Sequence, residues 1–107
     1  MLSWLQLNPA MSLPPLNAFQ NVNAAIAAFD TWAQPWLFQS TVAAILAEPD
    51  RPAFERIWAT ACDAQYWKDA DLALASLRAE QALRMQFPGL SREALSAVVR
   101  AAAYQWR

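Results

Sequence analysis

The chain has 107 residues, 57% of them hydrophobic and only 16% charged, with a net charge of −1 and no histidine. One domain fits that length, and the near-neutral balance gives no global attraction to nucleic acid or to an anionic membrane surface. With no histidine, one cysteine (Cys62) and one glycine (Gly89), the sequence excludes imidazole general-base chemistry, thiolate zinc sites and glycine-rich phosphate loops.

The hydrophobic share exceeds the roughly 45–50% of an average soluble protein. A domain of this size buries about two thirds of its chain surface, so some large apolar side chains are expected to remain outside. The longest clean apolar runs, Val42 to Ala47 among them, are far below the roughly 18 residues that a bilayer crossing needs. The apolar N-terminus has no Lys or Arg before its first hydrophobic stretch and is broken by Pro9, Pro14 and Pro15, unlike a secretory signal, so a cytoplasmic location is expected.

Residues 1–16 contain no charge and those three prolines, so Trp4, Leu5, Leu7, Met11, Leu13 and Leu16 are expected on an extended apolar arm. Residues 17–107 are expected to form a single helical domain. Asn17 is suited to cap its first helix, with Gln20 completing a capping-box pattern, and Phe19, Val22, Ile26, Phe29 and Ala33 recur at spacings of 3 and 4. Pro35 is the expected stop.

A short second helix follows over residues 38–47 with Val42, Ile45 and Leu46 inward, and Pro49 ends it. The third starts at Asp50 as N-cap with Pro52 in its first turn, and Phe54, Ile57, Trp58, Ala61 and Cys62 form its stripe. One continuous helix over residues 53–87 is compatible with the absence of Gly and Pro there. The interruption at Tyr66-Trp67-Lys68-Asp69, with Asp69 or Asp71 as a new cap, favours a break near residue 68. A fourth helix then carries Leu72, Leu74, Leu77 and Leu83 inward. The last is capped by Ser91, opened by a Leu90–Leu95 staple, and lined by Leu95, Val98, Val99, Ala102 and Trp106.

Several local patterns have structural explanations. Asp63, Asp69 and Asp71 read as caps and a solvated turn rather than a cation loop, which would need an interior glycine, so no metal site is assigned. Arg78, Arg84, Arg92, Arg100 and Arg107 make the C-terminal thirty residues basic, but the last helix presents Ala97, Ala101 and Tyr104 beside its arginines, which disfavours nucleic-acid reading. Residues 83–95, with Met85-Gln86-Phe87-Pro88 before a capped helix, resemble the first turn of CUE ubiquitin-binding domains. Gln86 splits that motif, and the later dileucine helix would not fit before Arg107, so the letters read as a helix stop and a capped restart.

Six tryptophans are the most unusual positive feature. Trp58 and Trp106 fall on inward stripes, whereas Trp4, Trp36 and Trp67 fall in the arm and in turns, where aromatic residues serve contact surfaces. The expectation is an all-α fold, an antiparallel bundle of four or five helices with an extended N-terminal arm. Its expected role is that of a non-catalytic protein–protein interaction module, an accessory, adaptor or regulatory subunit without cofactors. The expected partner is another protein or a second copy of the chain, and Trp4, Leu5, Leu7, Trp36 and Trp67 are the candidate interaction residues. The second reading is a carrier for an apolar small molecule, held in a cavity lined by Phe29, Ile45, Phe54 and Leu77.

Overall fold

The spacing of 3 and 4 residues that begins at Phe19 is realised as a helix whose inner face buries Val22, Ala25 and Ile26. The computed structural model describes residues 16–68 and 71–106, so the expected extended arm, apart from Leu16, lies outside the described residues. Among the described residues the fold is all-helical, with five α-helices: α1 (Leu16–Ala27), α2 (Phe38–Ile45), α3 (Arg51–Ala61), α4 (Leu72–Gln86) and α5 (Arg92–Gln105). Short 3-10 turns at Pro35–Leu37, Glu48–Asp50 and Ala64–Tyr66 join them.

The first helix begins at Leu16 rather than after an Asn17 cap, and it ends eight residues before Pro35. Local hydrogen bonds replace it: the Phe29 N–H donates to the Ile26 carbonyl at 3.2 Å, and the Thr31 hydroxyl lies 3.3 Å from the Asp30 carboxylate. Asp and Thr compete with helix propagation in this way. Phe29 still reaches the core, while Ala33, expected on the same stripe, is exposed.

Asp50 occupies the position before α3 but does not cap it. Its buried carboxylate instead accepts from the Asn21 side-chain amide at 2.9 Å, tying the start of α3 to α1. Arg51 then donates its Nε to the Ala43 and Leu46 carbonyls at 3.0 and 3.2 Å, placing a cation at the C-terminal end of α2.

The long Gly- and Pro-free segment is two helices, not one. α3 ends at Ala61, and α4 starts after Asp71, whose carboxylate accepts from the Leu74 N–H at 3.1 Å. Ser91 caps α5 as expected, its hydroxyl accepting from the Ala94 N–H at 3.1 Å. Each such cap supplies about 1 kcal/mol.

The core is formed by Phe38, Phe54, Ile26, Ile57, Leu83, Val22, Val42 and Val98, all fully buried. α4 packs between α3 and α5, and α1 packs against α5 and α3. The inward face of α4 is not the leucine set. Ala75, Ala79 and Leu83, at helical spacing, are buried, whereas Leu72, Leu74 and Leu77 are exposed. Small side chains let α4 approach its neighbours closely, and the leucines, displaced around the helix by 100° per residue, are turned outward. Ile45 is likewise exposed, while Val42 and Leu46 are buried as expected.

Candidate functional site

The turn after α1 concentrates aromatic side chains. Phe29 meets Trp32 edge-on, with centroids 4.8 Å apart, and meets Phe38 edge-on at 5.2 Å. Trp32 stacks on Phe38 at 5.9 Å, and Phe38 extends the cluster to Trp58 at 5.4 Å and Phe54 at 6.1 Å. Each well-formed pair adds roughly 0.5–1.5 kcal/mol beyond area burial. Arg100 of α5 lies over the Trp32 ring, its guanidinium carbon 4.1 Å from the centroid, which fixes the indole from a further side.

This cluster forms one wall of a cleft of about 280 Å³ open to solvent. Trp32, Pro35, Trp36 and Trp58 line it with Ala101 and Tyr104 of α5, and Gln39 and Gln105 stand at its edge. None of its described lining residues carries a formal charge. Gln39 is turned toward Glu55, donating its amide at 3.1 Å. Trp36 is 70% exposed, held out by the 3-10 turn that Pro35 initiates.

Of the two candidate interaction residues that are described, Trp36 lines this site and Trp67 does not; Trp4, Leu5 and Leu7 lie outside the described residues. Trp67 is a correction: its ring is buried in the core and its indole N–H donates to the Ala61 carbonyl at 2.7 Å. The helix break that suggested a surface aromatic instead folds Trp67 back over the end of α3. Trp106 departs from the expected stripe in the other direction, half-exposed with its N–H on the Cys62 carbonyl at 3.0 Å. Trp32, Pro35 and Tyr104 were not singled out as site residues. The spacing Trp32-x-x-Pro35-Trp36 beside a helix stop was the available signal for two of them.

The two described members of the acidic cluster serve separate local caps. Asp63 accepts from the Gln65 N–H at 3.0 Å, and that bond holds its carboxyl below the ordinary 3.8, helped by the Gln65 side chain. Asp71 caps α4, and Asp69 lies outside the described residues. Burial pushes the Cys62 thiol up to about 11, which leaves little thiolate for nucleophilic chemistry at neutral pH. The cleft itself presents aromatic faces together with the Gln39 and Gln105 amides. No protein-family model matches this chain, and neither curated proteins nor solved structures provide a match.

Proposed function

We propose that the chain is a non-catalytic helical interaction module, an accessory, adaptor or regulatory subunit working in the cytoplasm, whose contact surface is the aromatic cleft. The observation that carries this reading is the exposed Trp36 beside Trp32, Trp58 and Tyr104 on an uncharged described lining. A partly open aromatic groove of this kind matches the composition of protein contact centres, which are rich in Trp and Tyr and poor in charge. The scaffold behind it is an antiparallel bundle in this reading, with α1, α3 and α5 sharing one direction. The Asn21–Asp50 bond near one end and the Trp106–Cys62 bond near the other support that arrangement.

The carrier reading has less support. Phe29 and Phe54 are buried, while Ile45 and Leu77 face solvent, so these four side chains do not enclose a chamber. The deciding experiment compares tagged full-length protein with its Trp36→Ser variant in capture from native lysate, with molar mass measured for both. Proteins, or a second copy, recovered with the wild type and lost with the variant are the expected result. Identical recovery by both, at identical molar mass, refutes the cleft as the contact surface.

A further inference from the structure

We propose that the cleft is the self-complementary face of a twofold homodimer, in which the exposed Trp36 ring of each copy enters the hollow of the other. The inference rests on reading the cleft as a contact surface and names a second copy of this chain as its partner.

Shape is the first support. Trp36 projects into solvent from the turn that Pro35 initiates, at the edge of a hollow walled by Trp32, Trp58 and Tyr104. A projection and a hollow on one face suit an isologous contact, because a twofold rotation carries each projection to the other copy's hollow. Each copy then supplies an aromatic side chain to its partner's cleft, and both sites are filled at once.

Charge is the second support. A surface that meets its own copy sets like against like unless charge is absent from its centre and divided by sign between its two sides. The described lining of the cleft carries no formal charge. On the α5 side stands the exposed Arg100, next to the lining residue Ala101 and over the Trp32 ring. On the α2 and α3 side stands the exposed Glu55, which accepts from the amide of the lining residue Gln39. A twofold axis running along the cleft, between these two sides, lays the Arg100 edge of one copy over the Glu55 edge of the other, twice by symmetry. Opposite charges at a rim steer the encounter and fix the register, while the aromatic centre supplies the affinity. The net charge of −1 adds no long-range repulsion between copies.

The test measures the molar mass of the full-length chain by sedimentation velocity from micromolar to millimolar concentration. The expected result is a reversible rise from one chain to two. Trp36→Ser should weaken the dimer roughly thirtyfold or more, as for loss of a central aromatic anchor. Arg100→Glu and Glu55→Arg each set like charges face to face across the axis, and each alone should weaken association at least roughly tenfold. Mixed in equal amounts, these two variants should dimerise again, because both facing pairs are then opposite in sign. Recovery on mixing occurs only between folded chains, so it separates lost pairing from lost structure. A chain that stays monomeric up to millimolar concentration overturns the proposal, as does a dimer indifferent to Trp36→Ser or a mixture that fails to associate. The two readings fail separately. A monomeric chain that captures other proteins through Trp36 loses the second copy and keeps the contact surface, whereas identical capture and identical mass with Trp36→Ser remove both.

Discussion

Replacing Leu83 by alanine and, separately, Leu77 by alanine tests the orientation of α4, because the two leucines are chemically equal and differently placed. Leu83 is fully buried and Leu77 is 49% exposed. Truncating a fully buried leucine costs about 2–5 kcal/mol, from lost transfer energy and the cavity left behind. A domain of this size has roughly 5–15 kcal/mol in total, so L83A consumes a large fraction of it. At about 4 °C per kcal/mol for a chain near 100 residues, its Tm should fall by roughly 8–20 °C. L77A removes a side chain that already faces water, and its effect should stay within about 0.5 kcal/mol, or roughly 2 °C. Thermal and urea unfolding followed by far-ultraviolet circular dichroism measure both. A third variant, Ala79→Leu, overfills the alanine face and should cost about 1–3 kcal/mol. If L77A proves as costly as L83A while A79L is neutral, α4 is rotated from the position described and the reasoning fails.

Gly89 lies against Phe19, where an added Cβ would fall 2.8 Å from the ring's Cγ; G89A should therefore lose about 1–3 kcal/mol in urea unfolding, and combining it with Phe19→Ala should give less than the sum of the two losses. The lowered pKa of Asp63 means that its contribution to stability is complete above about 3.8 and is lost as pH falls through its lower folded value. An Asp63→Ala variant should accordingly show a flatter acid limb in a pH series of melting temperatures, and an unchanged limb would show that the carboxylate is not involved. Cys62, whose thiol burial pushes up to about 11, should react with a disulfide reagent at pH 8 roughly tenfold more slowly in the native protein than after denaturation, and equal rates would contradict its partial burial.

Much of the architecture was legible because helix boundaries are local chemistry. Asp71 and Ser91 cap where their side chains can accept from the third following N–H, and Pro52 begins a helix where no backbone donor is needed. The rotation of α4 was not legible. Leucine spacing identifies a helix, but the inward face was chosen by how closely α3 and α5 approach, and alanines permit an approach that leucines do not. Asp50 differs for a related reason: its position is that of a cap, but its backbone is already helical and its carboxylate is held by Asn21, 29 residues away. Trp36 was recognisable from its turn, whereas Trp32 and Tyr104 become site residues only through the packing of α5 beside that turn. Trp67 shows the limit of reading aromatics outside a stripe as surface, since a helix break can fold a ring inward as readily as it can present it.

Asn23 binds both sides of the last turn, donating its amide to the Gly89 carbonyl at 3.1 Å and accepting from the Ser91 N–H at 2.9 Å. These bonds span 66 and 68 residues of sequence. A ribosome adding about 5–20 residues per second places roughly 3–14 s between making the first helix and making the turn that receives it. During that interval Val22 and Ile26 have no fifth helix to pack against, and the newborn chain presents an uncovered oily stripe while the segment that carries α5 is still being synthesised. Translation speed through the codons between Asn23 and Ser91 thus sets how long the nascent protein is exposed to aggregation. Slowing those codons should raise the demand for chaperones without altering a single contact in the finished fold.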